Sequence, residues 1–218
     1  MDSENQKDIY HEKQVRELCA LHALNNLFQC KDFFTKSELD LICNNLSPDN
    51  WINPHKSLLG IGNYDINVIM KALQSRGCEA IWFDKRKDPS SLNFSDIIGL
   101  IFNIPSDYKF SFITIPLNRK HWAAIKEIDG IFYNLDSKLD APQAIGTEVE
   151  LIDFLKNEIN NRDKEMFVVV TNEVSENKSW LKDPESYRSN EPNNIPERGA
   201  QILQLKDILP VVPGPHPL

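Results

Sequence analysis

His121-Trp122-Ala123-Ala124-Ile125-Lys126-Glu127-Ile128-Asp129-Gly130-Ile131-Phe132-Tyr133-Asn134-Leu135-Asp136 reads as two strands, 121–127 and 131–136, folded back on each other at Asp129-Gly130. Asp-Gly between apolar strands favours a two-residue type I′ turn. That turn sets the register, with Ile128 opposite Ile131 and Ala123 opposite Asp136. Strands alternate with period two, so His121 and Ala123 share a face and Asp136 lies on it, diagonal to His121. Diagonal residues are about 7–8 Å apart, within reach of long side chains. A carboxylate so placed can hold one imidazole nitrogen and leave the other free, which makes a base and its orienting group. Taken alone, His121 reads more readily as an ordinary strand histidine with its hydrogen bonds satisfied, and only the pairing with Asp136 brings the two readings level.

Working outward, Val149, Ile152, Phe154 and Leu155 give residues 148–158 a helical apolar face. The uninterrupted apolar run 166–170 reads as a central strand. Before the hairpin, 79–83 and 111–115 have strand composition. Asp65 can cap a helix ending at Gly77. Thr35-Lys36-Ser37-Glu38 fits a capping box for a helix to about Leu46, with Phe34 and Leu39 as its hydrophobic staple. Residues 47–63, with Pro48, Pro54, Gly60 and Gly62, read as loop. Helices come first and strands later, so an α+β domain with an antiparallel sheet is expected.

The first helix spans about 19–29, with Leu21, Leu24, Leu27 and Phe28 on a broad apolar set. Cys19 opens it. A thiolate there faces unpaired N–H groups and the positive end of the helix dipole, which lowers its pKa and makes it reactive. The competing reading is an inert buried cysteine. Gln14, five residues earlier, could join the Cys19 N–H as an oxyanion donor, although by itself it is an ordinary polar residue. Cys19 and His22 have spacing that could begin a zinc site, but no second pair at ligand spacing completes it.

The chain has 218 residues and a net charge of −8, with a pI near 5.2. That balance argues against nucleic acid and against a polybasic grip on membranes. The longest apolar run, 97–102, is far too short to span a bilayer, and residues 1–8 are no signal peptide. A cytosolic location is expected, with all four cysteines as free thiols. Cys30, Cys43 and Cys78 are expected to pack as small hydrophobes. Three parts are expected: an N-terminal extension 1–8, a domain 9–182, and a poorly ordered tail 183–218. The tail holds seven of the 13 prolines. Within it, 202–209 is apolar enough to dock on the domain or on a partner.

Tyr10-His11-Glu12-Lys13-Gln14 and Glu17-Leu18-Cys19-Ala20-Leu21-His22-Ala23-Leu24-Asn25-Asn26 closely resemble the opening of Josephin domains. His121-Trp122 and Tyr133-Asn134-Leu135-Asp136-Ser137-Lys138-Leu139 resemble the family's later blocks, and the stretch from Leu59 to Met70 resembles the block between. The resemblance is strongest to the short stand-alone members, not to the longer relative with a polyglutamine tail. It implies a papain-like cysteine protease fold, with N-terminal helices packed on an antiparallel sheet. It also implies hydrolysis of ubiquitin linkages without metal or organic cofactor, by a monomer whose partners are ubiquitin and ubiquitinated proteins. By position, Cys19 would be the nucleophile, His121 the base and acid, Gln14 the oxyanion donor and Asp136 the orienter, where the longer relative has Asn. Ile66 and Asn67 match positions lining the channel for the ubiquitin C-terminus. Arg76 stands where the longer relative has a Trp of a second ubiquitin-binding surface, and the loop before Gly60 is shorter than its helical arm. Two other readings remain: a ubiquitin-binding module with weak or silent catalysis, and a transferase using the same thioester.

Overall fold

The computed structural model describes residues 8–15, 18–47, 64–110, 113–160 and 163–182, with backbone alone for 106–110 and 113–119. The expected loop lies largely outside the described residues, as do residues 1–7, Ser111, Phe112 and the tail 183–218.

Three helices precede the sheet. The first, α1 (Cys19–Phe28), ends where Gln29 turns left-handed at φ 52°. The second, α2 (Lys36–Leu46), carries the expected capping box. There the Glu38 N–H donates to Thr35 Oγ1 at 3.3 Å and the Thr35 N–H donates to Glu38 Oε2 at 2.8 Å. The third, α3 (Ile66–Gln74), is capped by Asp65, whose carboxylate accepts from the N–H groups of Asn67 and Val68. It stops before Gly77, which closes the following turn at φ 70°.

Six strands follow: β1 (Cys78–Trp82), β2 (Gly99–Phe110), β3 (Ile113–Ile128), β4 (Ile131–Asn134), β5 (Gln143–Gly146) and β6 (Glu165–Thr171). They form one sheet in the order β1-β6-β2-β3-β4-β5, with every pairing antiparallel. A fourth helix, α4 (Glu148–Ile159), and a short α5 (Asn172–Asn177) flank β6 in sequence.

The sheet is covered on both faces. On one, Leu24 and Leu27 of α1, Leu39 of α2 and Val68 and Ile69 of α3 pack with Ile101, Trp122, Ala124, Phe167 and Val169. On the other, Leu151, Leu155 and Ile159 of α4 pack with Phe102, Ile125, Phe132, Met166, Val168 and Val170. Alternate residues of β6 thus enter different cores, which explains its unbroken apolar run. Among the described residues no helix is long and apolar enough to cross a membrane.

Two strands differ from expectation. Of the expected strand 111–115, Ser111 and Phe112 lie outside the described residues, while residues 113–115 belong to β3, which runs unbroken from Ile113 to Ile128. Its partner β2 was hidden by Gly99 and Pro105. β6 bonds to β2 only as far as Asn103, so Pro105 falls where β2 needs donors on one side alone. Gly99 answers to a close approach: a Cβ there would meet Leu27 Cδ1 at 2.5 Å and the Ile125 carbonyl oxygen at 2.6 Å. Gly99→Ala is therefore expected to destabilise the domain by about 1–3 kcal/mol through overpacking, read as a lower urea midpoint. An unchanged midpoint would show that the backbone yields at this contact.

Candidate active site

Cys19 is the first residue of α1. The cap residue Leu18 makes no side-chain cap bond and the first turn of α1 holds no acidic residue, so the helix itself supplies no countercharge to its positive end beside the thiol. Packing of α1 on β3 buries Cys19 to 5% exposure.

His121 comes from β3, itself buried at 3% exposure. Its Nε2–H donates to Asp136 Oδ1 at 2.5 Å, and the neighbouring Cys19 thiol acts on the same ring, raising its pKa. With Nε2 occupied by the carboxylate, Nδ1 is left for the thiol. The contact follows from the turn. Asp129 and Gly130 both have positive φ, 52° and 81°, the type I′ signature. Ile128 faces Ile131 and Ile125 faces Asn134. The Leu135 N–H donates to the Ala124 carbonyl at 2.8 Å, so the register continues past β4 to Asp136.

Two donors converge on Asp136 Oδ1, His121 Nε2–H and the Lys138 N–H at 2.9 Å. The Asp136 N–H in turn donates to Asn134 Oδ1 at 3.0 Å. Burial, the largest influence on Asp136, favours its neutral form. The hydrogen bond and charge of His121, with help from Lys138, outweigh it and hold the carboxyl below its ordinary range. Burial likewise opposes charge on His121, but the bonds and charges of Asp136 and Cys19 push its pKa above the usual value. Both shifts favour an imidazolium between two acidic groups.

Gln14 is brought to the same place by its backbone, its N–H donating to the Ser137 carbonyl at 2.7 Å. Its segment runs along α1, where the Tyr10 N–H bonds Gln29 Oε1 at 3.0 Å and the Glu12 N–H bonds Asn26 Oδ1 at 2.6 Å. Ile66 and Asn67 lie in the first turn of α3, where Ile66 is partly buried against the core that also holds Cys19 and Trp122. Trp122 Nε1–H donates to the Tyr64 carbonyl at 2.9 Å, tying the approach to α3 to the residue after His121.

Sequence reasoning passed over Asn26. Wholly buried in α1, it bridges Glu12 O at 3.3 Å and Leu135 O at 3.0 Å through Nδ2, joining the Cys19 helix to the Asp136 loop. Two asparagines on a buried helix were the available signal, since a buried amide must find partners. His22, weighed as a zinc ligand, instead contacts Glu12 and the Val15 N–H. Cys30 corrects an expectation: it is exposed, while Cys43 and Cys78 are buried as anticipated. Cys30 sits just past the left-handed Gln29 at the end of α1, with its thiol against its neighbour's carbonyl, Lys31 O.

The Josephin family model matches residues 14–170. The Josephin-like protein of Drosophila melanogaster is 52% identical over 167 residues, covering 76% of this chain and 75% of its own. Josephin-2 of Homo sapiens is 48% identical over 174 residues, covering 80% of this chain and 92% of its own. Ataxin-3 of Homo sapiens is more distant, 26% identical over 147 residues that make up 64% of this chain and 39% of that protein. With half the residues shared across most of both chains, and the thiol, imidazole and carboxylate gathered by this fold, the chain belongs to the Josephin family.

Proposed function

We propose that the protein is a cysteine-type deubiquitinase that hydrolyses isopeptide or peptide bonds to the ubiquitin C-terminus. The observation that carries this reading is the buried His121–Asp136 pair, with the Cys19 thiol acting on the same ring. Membership of the Josephin family supports a deubiquitinase-like activity and ubiquitin as the partner.

In the proposed reaction the Cys19 thiolate attacks the carbonyl carbon of ubiquitin's last residue. The C–S bond forms as the carbonyl π pair moves to oxygen, where the Gln14 side chain and the Cys19 N–H receive the charge. Protonated His121 gives its proton to the departing lysine amine as the C–N bond breaks. Neutral His121 then takes a proton from water, the hydroxide displaces sulfur, and ubiquitin leaves with a free carboxylate. Asp136 keeps the ring in the tautomer that presents Nδ1 to sulfur. Ile66 and Asn67, on the α3 side of Trp122, are proposed to line the path of the ubiquitin tail. A narrow path would select glycine by excluding side chains. Free thiols at Cys19, Cys30, Cys43 and Cys78 suit work in a reducing compartment such as the cytosol.

One observation favours the alternative of a ubiquitin-binding module with slow catalysis: Cys19 is only 5% exposed, so the thiol needs an opening before it can react. A ubiquitin bearing a C-terminal electrophile tests the main reading. The adduct is expected at Cys19, located by mass spectrometry, while a small alkylating agent is expected to label the exposed Cys30 first. Ubiquitin attached to Cys30, with Cys19 untouched, sinks the nucleophile assignment.

A further inference from the structure

His22 lies one turn along α1 from Cys19 and is 7% exposed. Its Nε2 accepts the Val15 N–H at 3.3 Å, and its Nδ1–H donates to Glu12 Oε2 at 2.5 Å. The other Glu12 oxygen accepts from Asn25 Nδ2 at 3.0 Å and from the Tyr10 hydroxyl. Burial raises the Glu12 pKa most, yet the bonds from His22, Tyr10 and Asn25 outweigh it and keep the carboxyl ionised. An ionised Glu12 calls for the imidazole proton on Nδ1. Nε2 is then a lone-pair acceptor, which suits a backbone donor.

The partner of that lone pair matters. Val15 follows Gln14, so the Val15 N–H belongs to the peptide bond leaving Gln14. The N–H of Gln14 itself is held by the Ser137 carbonyl at 2.7 Å. Gln14 is therefore fixed on both sides of its Cα. One anchor is the loop that carries Asp136, and the other is the helix that carries Cys19. A side chain so held keeps only its own rotamers to choose, which is the preorganisation an oxyanion donor needs.

We infer that His22 is a positioning residue for the oxyanion site: through the Val15 N–H it sets Gln14 against the helix that presents Cys19. This rests on the role proposed above for Gln14. The role belongs to the Nε2 contact. The Nδ1 contact with Glu12 selects the tautomer that makes it possible.

Two substitutions separate the nitrogens. An Asn amide occupies the Nδ1 position and a Gln amide reaches the Nε2 position, so His22→Asn keeps the bond to Glu12 and His22→Gln keeps the bond to Val15. Each loses one buried hydrogen bond, so their melting temperatures are expected to fall alike. Turnover of a ubiquitin C-terminal amide substrate is expected to differ. In His22→Asn kcat falls roughly 10- to 100-fold with KM little changed, whereas His22→Gln retains most of it. On a Gln14→Ala background, His22→Asn is expected to cost nothing further. Reaction with a ubiquitin alkyne, in which sulfur adds to carbon and no oxygen gathers charge, is expected to be spared in both variants. Equal loss of kcat in the two variants, additivity with Gln14→Ala, or parallel loss of alkyne reactivity overturns the anchor. If Gln14→Ala itself turns over at the wild-type rate, the oxyanion role falls and the anchor with it, while the Cys19 reading stands. Failure of the Cys19 reading shows separately, as turnover that survives Cys19→Ala.

Discussion

Cys19→Ala is expected to lower cleavage of a ubiquitin fusion by roughly 10⁶-fold, the scale of losing a covalent nucleophile, while Kd for ubiquitin stays nearly unchanged. The thiol forms its bond only on the way to the transition state, so its loss falls on kcat and not on ground-state affinity. The substitution removes one small polarizable atom from the core around α1, where Cys19 is 5% exposed, so the melting temperature should move little. The measurement is a cleavage time course under reducing conditions beside a titration with mono-ubiquitin. A wild type that binds ubiquitin but cleaves no chain or fusion, with Cys19→Ala binding equally, decides for the binding-module reading. Residual cleavage by Cys19→Ala at the wild-type rate would place the nucleophile elsewhere, and Cys30, exposed just past α1, would be the next thiol to test.

The parts of this site that were legible in the sequence are those dictated by short-range rules. Asp129-Gly130 admits few backbone conformations, and both residues have positive φ as a type I′ turn requires. From that alone His121 and Asp136 fall on one face, and the structure joins them at 2.5 Å. Thr35 and Glu38 are three residues apart and cap α2 as their spacing demands. The illegible parts depend on where distant segments meet. Nothing in the spacing of Glu12, His22 and Asn26 records that residues 10–15 lie along α1 and touch the loop after β4. Strand β2 was obscured because Pro105 reads as a breaker until the extent of β6 is known. Asn134, two residues before Asp136, has its Oδ1 engaged by the Asp136 N–H. It supports Asp136 and does not replace it.

Asp136 separates orientation from charge. Its Oδ1 accepts from both His121 Nε2–H and the Lys138 N–H. In Asp136→Asn the amide oxygen, not the NH₂ group, is the atom that can face two donors, so the ring keeps its tautomer and Nδ1 stays available to Cys19. The expected loss of kcat is under about tenfold. Asp136→Ala removes the acceptor as well, and the loss is expected at about 10²–10⁴-fold, the range of general acid–base contributions. The two also differ in pH dependence. In the native protein the Asp136 bond is the largest influence raising the His121 pKa, against the larger opposing effect of burial. Losing the carboxylate charge lets burial weigh more, so the His121 pKa falls. The amine leaving the acyl carbon needs imidazolium as its acid, and imidazolium is lost as pH rises through that pKa. The alkaline limb of kcat is therefore expected to move to lower pH in both variants, with the Asn variant recovering part of its rate at mildly acidic pH. Steady-state rates across pH, with melting temperatures to confirm folding, provide the measurement. Wild-type cleavage by folded Asp136→Ala would mean that Asp136 does not orient the base. An alkaline limb that stays in place would mean that the carboxylate does not support charge on His121.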